Sequence, residues 1–514
     1  MSFEDLMADF AAREKKALAM GGTEKLARRR EQGLLNARER IDYLIDENSF
    51  LEEGMFGTSS VVPEDRDKTP SDGKVTGFAK VEGRPIAVAS NDFTVKGASS
   101  SLTNMKKIGH VKRVATERGM PIVFMGESSG ARMPDNMGSK GMGALLGNDP
   151  TQYVRMRETP WASAVLGPCY GSSAWYTCLS DFTVMRKGAV MAVASPQLAS
   201  MAIGETVDPQ ELGGWELHAE ITGLIDTFAE TDEEALDLVR RFLSYMPSHN
   251  QETPPTAPVP AGSDEASETV IDILPESRKR VYDVRKILKV ILDQDSFFEL
   301  KARFGRVAVT GLARLDGRVV GVVANNPLVK GGALDAHACE KITRFLVMCD
   351  SFNIPLLMFV DTPGFIIGKE GERQRAAAKI MNFMTALQMF SMPKLSVIMR
   401  KTYGQAYLNM GGGRNSDEVL AWPTAEVSFM DPAFATRVVL WGRNEEDEPE
   451  TFRKVREEME KDGSVWDMAS SFSVQHVIRP QETRRYLARL LEFHEDRRHG
   501  GIGRHALSNW PTGY

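Results

Sequence analysis

VTGFAKVEGRPIAVASNDFTVKG, residues 75–97, returns as VTGLARLDGRVVGVVANNPLVKG, residues 309–331. The register runs from Val75–Gly130 to Val309–Gly364 at one offset of 234 positions without a gap, and 15 of the 56 pairs are identical. Lys107-Ile108 meets Lys341-Ile342, Pro121 meets Pro355 and Gly130 meets Gly364, while Glu82/Asp316 and Glu127/Asp361 exchange like for like. A single ungapped register of this length marks a duplicated domain.

The echo extends both ways. Asp46–Phe50 answers Asp293–Phe297 at an offset of 247, so the first copy carries about 13 extra residues, assigned to the polar stretch Thr58–Asp72. Val165–Gly171 answers Ile398–Gly404 at an offset of 233. Each copy reads as hairpin, helix, buried strand, second helix, buried strand and glycine turn, an αβ unit long enough to enclose its own core. The expected fold class is α/β, with an N-terminal domain over 1–250, a linker rich in Pro, Thr and acidic residues over 251–271, and a C-terminal domain over 272–514.

Bulk composition removes several functions. The 514 residues have a net charge of −7, which argues against nucleic acid as the main partner. Cys169, Cys178, Cys339 and Cys349 lack metal-ligand spacing and sit in apolar surroundings, so buried reduced thiols and no metal are expected. The N-terminus MSFEDLMADF is acidic without an apolar core, and no run approaches the ~18 apolar residues of a membrane span. A cytoplasmic protein is expected.

Along the chain, residues 3–33 read as one charged amphipathic helix whose basic cluster Lys25–Arg30 forms a solvated face, followed by a helix from Ala37 to Leu51. Gly73–Ala89 alternates around Glu82-Gly83, a hairpin signal. Ser101–Arg118 carries one apolar stripe ended by Gly119 and Pro121, Ile122–Met125 and Ser163–Leu166 are buried strands, and Gly167–Ser173 runs into another helix. Beyond Trp441 the echo fades: Glu445–Asp462 and Pro480–Arg497 read as helices, and Gly500–Tyr514 as an extended tail packed on a neighbour.

Gly126-Glu127-Ser128-Ser129-Gly130 matches the G-x-S-x-G elbow of hydrolases. Pro134 falls where the following helix should begin, and the repeat maps Ser128 to Thr362 in Asp361-Thr362-Pro363-Gly364, which is no elbow. No phosphate loop accompanies the latter string, so a nucleotide triphosphatase is not indicated. His110 and His337 do not align and read as helix surface residues. More informative are Gly97-Ala98, Gly171-Ser172, Gly331-Gly332 and Gly404-Gln405-Ala406, each after an apolar strand. Small residues there let backbone N–H groups face a cleft, and a following helix adds its positive end, an arrangement suited to an enolate.

The chain resembles the carboxyltransferase (β) subunit of biotin-dependent acyl-CoA carboxylases, the propionyl-CoA carboxylase β type, from about residue 10 to the C-terminus. The resemblance is carried by Ala37–Asp42, Asp92–Val95, Ser128 with Gly130-Ala131-Arg132, Gly167-Pro168-Cys169, Asp181–Met185, Glu211–Gly214, Asp361–Phe365, Arg400-Lys401 and Ala421–Glu426. It implies two tandem crotonase-like domains, a homohexameric core, and active sites between the N-terminal half of one subunit and the C-terminal half of its neighbour. Acyl-CoA would lie against the N-half and carboxybiotin, carried on a biotin carboxylase or biotin carrier partner, against the C-half. Carboxylate would pass to the α-carbon of the acyl group through an enolate held by two oxyanion holes, with no side-chain nucleophile.

By that resemblance Gly171 and Ser172 hold the thioester oxygen, while Gln405 and Ala406 hold the ureido oxygen of biotin. Gly97, Ala98, Gly130, Ala131, Tyr170 and Leu408 line the acyl-CoA side, and Gly404, Gly331 and Gly332 the biotin side. This chain departs from the family pattern, which has Ala-Gly-Gly at Tyr170-Gly171-Ser172, Gly-Gly-Ala at Gly404-Gln405-Ala406, Gly at Ser129 and Asp at Leu408. A bulkier or functionalised acyl-CoA is therefore expected, with acetyl-CoA a poor substrate. Two other functions share the motifs: a biotin-dependent acyl-CoA decarboxylase or transcarboxylase, and a thioester hydrolase using Ser128.

Overall fold

The computed structural model describes residues 2–511 apart from Pro134, 147–152, Lys279, Asp462, Asp496 and Arg498, with only the backbone of 144–146. Pro134, invoked above against a hydrolase elbow, lies outside the described residues, as does the end of the tail. The chain divides into two compact units, Met1–Glu252 and Thr253–Tyr514.

The N-terminal unit holds β1 (Leu51–Glu53), β2 (Lys74–Val81), β3 (Arg84–Asn91), β4 (Ile122–Ser128), β5 (Trp161–Tyr170), β6 (Phe182–Arg186), β7 (Val190–Ala192) and β8 (Thr227–Ala229). They form one mixed sheet in the order β1-β2-β3-β4-β5-β6-β8, with β7 on the end of β5. The C-terminal unit holds β9 (Phe298–Leu300), β10 (Ala308–Leu315), β11 (Arg318–Asn325), β12 (Leu356–Thr362), β13 (Lys394–Tyr403), β14 (Glu418–Ala421), β15 (Glu426–Ser428) and β16 (His476–Val477). Its order is β9-β10-β11-β12-β13-β14-β16 with β15 on β13, strand for strand the same topology. Pairing reproduces the sequence offsets: Leu51 faces Phe78 as Phe298 faces Leu312, and Cys169 faces Ser128 as Thr402 faces Thr362 across the same bulge.

Local chemistry explains the shared geometry. Glu82-Gly83 and Asp316-Gly317 all have positive φ, the requirement of a two-residue type I′ hairpin. Each turn is pinned by one carboxylate: Asp46 accepts from the Glu82 and Gly83 amides at 2.9 and 2.7 Å, and Asp293 from those of Asp316 and Gly317 at 2.9 and 2.7 Å. The helix Leu102–Arg118 starts at a Ser101/Asn104 capping box and stops at Gly119, φ 71°. Its counterpart Ala336–Ser351 starts at Asp335. In the C-terminal unit Val309, Val322, Leu357, Val397 and Trp422 form one buried cluster with the helix Val284–Ile291 and with Leu487 and Leu491.

Four expectations need correction. Residues 3–33 form two helices, Phe3–Leu18 and Thr23–Glu31, because Met20 (φ 54°) and Gly22 (φ 94°) reverse the chain between them. The basic cluster is not wholly solvated: Arg29 is buried on Glu127 at 2.9 Å, and Lys25 Nζ donates to the Thr94 carbonyl at 2.8 Å. The stretch read as a linker is helical from Ser263, and Val270 is fully buried in the C-terminal core. The tail packs on its own unit: Leu507 is fully buried, and His505 bonds Ser391 at 2.6 Å and Asn353 at 2.9 Å.

The remaining helices are shorter than read, at Ala37–Leu44, Pro449–Glu460 and Thr483–His494. Among the described residues no helix is long and apolar enough to cross a membrane.

Candidate active site

At the carboxyl ends of β3, β4 and β5 the N-terminal unit gathers its small residues. After β3, Lys96, Gly97 and Ala98 are all left-handed, φ 49°, 60° and 47°. The Gly97 carbonyl accepts the Ser129 amide at 2.9 Å, and a Cβ added to Gly97 would stand 2.7 Å from Ser129 Oγ. The Gly130 carbonyl accepts the Ser100 amide at 2.8 Å, tying Gly130-Ala131 to the same turn. After β5, Gly171 adopts φ 61°, ψ −127°, a conformation close to glycine-only, and Gly130 Cα lies 3.8 Å from where its Cβ would be. Ser100 Oγ and Ser172 Oγ are 2.7 Å apart. Gly97, Ala98, Gly130, Ala131, Tyr170, Gly171 and Ser172 are thus brought together as the sequence predicts.

In the N-terminal unit the free amides lie one residue beyond the expected Gly171 and Ser172, whereas in the C-terminal unit they are those of the expected Gln405 and Ala406. The Gly171 amide donates to the Val193 carbonyl at 3.3 Å. Ser172 and Ser173, opening the helix Ser172–Leu179, have amides without an acceptor among the described residues, as the first turn of a helix leaves them. The C-terminal unit repeats this. Gly404 has φ 59°, ψ −146° and donates to the Ser428 carbonyl at 3.0 Å, while the amides of Gln405 and Ala406 have no acceptor among the described residues. By the 233 offset Ser172 and Ser173 correspond to Gln405 and Ala406. The residues that replace family glycines, Ser172 and Gln405, avoid positive φ, so their N–H groups stay available; the strained positions are the retained glycines.

Gly331 and Gly332 (φ 63° and 85°) form the C-terminal equivalent of the Gly97-Ala98 turn, joined to Gly364 through the Leu334 amide at 3.0 Å. Leu408, expected on the acyl side, lies in the C-terminal unit, on the helix Gln405–Asn409, with 36% of its surface exposed.

Each site offers paired backbone donors rather than acid–base groups. Ser128 is fully buried; its Oγ donates to the Ala98 carbonyl at 3.1 Å and accepts the Gly130 amide at 3.2 Å. Thr362 accepts the Gly364 amide at the same 3.2 Å, so this hydroxyl braces the turn in both copies. His110 is exposed on its helix, and His337 packs against Phe304 at 4.9 Å. Burial raises the Tyr170 phenol and pushes the Cys169 thiol up to about 12. Two adjacent free amides at a helix start stabilise an oxyanion.

The model of the carboxyl transferase domain family matches residues 28–503. The chain belongs to that family. It is 34% identical to the propionyl-CoA carboxylase carboxyltransferase subunit of Haloferax mediterranei over 98% of this chain and 100% of that one. It is also 34% identical to the methylmalonyl-CoA carboxyltransferase 12S subunit of Propionibacterium freudenreichii subsp. shermanii, over 97% and 95% of the two chains. Its structure resembles that of a transcarboxylase 12S hexamer with methylmalonyl-coenzyme A and methylmalonic acid bound, TM-score 0.90 at 33% identity over 98% and 99%. This carboxyl transferase is therefore an enzyme, with the crotonase-like α/β fold present twice.

Sequence reasoning missed the buried charges beneath both turns. In the N-terminal unit Glu127 takes Arg29 through both oxygens (2.9 and 3.0 Å) and Arg40 at 2.8 Å, and Arg40 continues to Asp232 at 3.0 Å. In the C-terminal unit of the carboxyl transferase, Asp361 accepts Arg400 Nε at 2.8 Å and Tyr282 Oη at 3.0 Å. The Glu127/Asp361 pairing in the repeat was the available signal. Among the described residues no cluster of His, Cys, Asp and Glu could hold a metal ion.

Proposed function

We propose that this carboxyl transferase exchanges a carboxylate between biotin carried on a partner subunit and the α-carbon of an acyl-CoA. The observation that supports this is the pair of free-amide turns at equivalent places in two copies of one unit, one pair for each of two oxyanions. The N-terminal domain (1–250) serves acyl-CoA: the amides of Ser172 and Ser173 hold the thioester oxygen as the α-proton leaves, and the Gly97-Ala98 and Gly130-Ala131 backbones form the wall.

The C-terminal domain (272–514) takes biotin. Its residues fit a ureido ring: Gln405 and Ala406 offer orphan amides, and nothing lies within 4 Å of a Cβ added to Gly331. When bound, biotin supplies the carboxylate. The chain contributes backbone dipoles that need no reorganisation as charge develops. A hexameric core, a biotin carboxylase or biotin carrier partner and a cytoplasmic setting complete the proposal; the three buried cysteines fit a reducing compartment.

The likeness to a methylmalonyl-CoA carboxyltransferase favours a second direction, a decarboxylase or transcarboxylase passing carboxylate from the acyl-CoA to biotin, through the same transition state. Purification with native partners, followed by label uptake from bicarbonate into a panel of acyl-CoAs, tests the proposal. Turnover with a biotinylated partner is expected. No biotinylated partner and no turnover with any acyl-CoA would end it. The Ser128 hydrolase is not proposed, because Ser128 Oγ is buried and engaged with Ala98 and Gly130.

A further inference from the structure

Lys74, the first residue of β2, is 1% exposed, and Asp72, two residues earlier, is engaged by Arg132, Ser101 and the Asn104 amide rather than by Lys74. The Lys74 ammonium donates to the Ala98 carbonyl at 3.4 Å and to Asn91 Oδ1 at 3.3 Å, both long. Asn91 Nδ2 in turn donates to Ser173 Oγ at 3.2 Å. One side chain is thereby linked to the Lys96–Ala98 turn and to the first turn of the helix that presents the free Ser172 and Ser173 amides. The C-terminal unit has Ala308 in its place, and there the amide Nδ2 of Asn325, counterpart of Asn91, is buried without a partner among the described residues. The lysine is peculiar to the half assigned to acyl-CoA.

We propose that Lys74 is a positioning residue for the acyl-CoA half, its ammonium fixing the Ala98 turn and, through Asn91, Ser173, and strengthening both bonds as negative charge develops on the thioester oxygen. The inference rests on the acyl-CoA assignment of that half. Lys74 has a neutral state within reach: burial first, then Arg132, and at shorter weight Lys107, lower it to about 7, against Asp72 and Cys169. Those four are the charged and titratable groups that face it, from the turn before β2, the loop after β4, the helix Leu102–Arg118 and β5. An amine that loses its proton leaves its two acceptors with weaker donors, so the turnover-competent state is the protonated one.

The experiment compares wild type, Lys74→Met and Lys74→Arg as complexes with the biotin-bearing partner, using whichever acyl-CoA of the panel wild type turns over best and labelled bicarbonate from pH 6 to 9. In wild type kcat/KM is expected to fall above a pKa near 7, in the free-enzyme profile. Lys74→Met should lose about ten- to a hundredfold in kcat at pH 6.5 and lose that basic limb. Lys74→Arg, permanently charged, should recover at least a tenth of wild-type kcat and also lack the limb. A limb unchanged in either variant overturns the proposal, because a purely structural lysine would lower activity without moving it.

A second readout needs no reaction. Unfolded lysine titrates near 10.5 and folded Lys74 near 7, so in that window the unfolded chain binds more protons and wild-type stability gains as pH rises. Lys74→Met should flatten this gain in a melting-temperature series; an identical slope overturns the proposal. Wild type inert toward every acyl-CoA, with the stability slope still dependent on Lys74, would instead remove the functional assignment.

Discussion

Gly171→Ala tests whether the free amides of Ser172 and Ser173 carry the reaction. The added Cβ meets nothing closer than 3.8 Å, so the cost is backbone conformation and not collision. At φ 61°, ψ −127° that cost is about 1–3 kcal/mol for a non-glycine residue. Two hydrogen bonds hold the turn, Gly171 N to Val193 O at 3.3 Å and Trp175 N to Gly171 O at 3.1 Å, each contributing about 1 kcal/mol net. Strain and restraint are of one size, so the turn relaxes at least partly and re-aims the amides that follow it. Loss of one oxyanion donor lowers kcat by about 10²–10³. Label uptake from bicarbonate should therefore show kcat down about a hundredfold with KM little changed. Ser172→Ala keeps its N–H and loses only the 2.7 Å contact with Ser100, so it should stay within about tenfold of wild type. Gly171→Ala retaining a third of wild-type kcat, or Ser172→Ala proving equally damaging, would refute the backbone-donor argument.

Glu127→Gln leaves Arg29 and Arg40 buried beside a neutral amide and should destabilise the N-terminal unit by about 3–5 kcal/mol, seen as a lowered urea midpoint. Asp46→Ala removes both bonds to the Glu82-Gly83 turn and should cost about 1–3 kcal/mol by the same assay, with kcat intact. Lys107, lowered by burial to about 8, makes wild-type stability rise between about pH 8 and 10.5, where the unfolded chain alone holds the proton; Lys107→Met should flatten that slope in melting curves. Leu408→Asp should shift preference in an acyl-CoA panel toward short chains, since each methylene buried on leucine contributes about 0.8 kcal/mol; an unchanged ranking removes Leu408 from the acyl pocket.

The repeat was legible because its offsets, 234, 247 and 233, are hydrogen-bond registers, and a sheet cannot slip by one residue without turning its core face outward. The glycine turns were legible for a similar reason: Gly171 and Gly404 occupy conformations that other residues reach only under strain. Which amides those turns leave free was not legible, since that depends on Val193, just past β7, and Ser428, at the end of β15, accepting the glycine N–H groups. Arg29 misled for the opposite reason. Composition assigns Lys25–Arg30 to solvent, and only the reversal at Met20–Gly22 turns one arginine of that run onto Glu127. The tail and the linker were misjudged because polar sequence says little about packing when one residue, Leu507 or Val270, fills a core position.

The two units differ most where a side-chain mechanism would require them to agree. Beneath the first turn, Gly167 leaves room for Glu127: a Cβ at 167 would stand 2.4 Å from Glu127 Oε1, and the arginines arrive from the helices Thr23–Glu31 and Ala37–Leu44. Beneath the second, Arg400 occupies the place of Gly167 and reaches the shorter Asp361 from its own strand. Both solutions neutralise one buried carboxylate at the same depth under the turn, by unrelated routes. Lys74 against Ala308, Cys169 against Thr402 and Ser172 against Gln405 differ as freely. What the copies share is the bulge in the last residues of β4 and β12, the left-handed turn after β3 and β11, and a glycine whose amide is committed so that the next two are not. Those are backbone features, and a reaction that needs two oxyanions held by N–H groups would constrain them while leaving the side chains around each free to fit a different ligand.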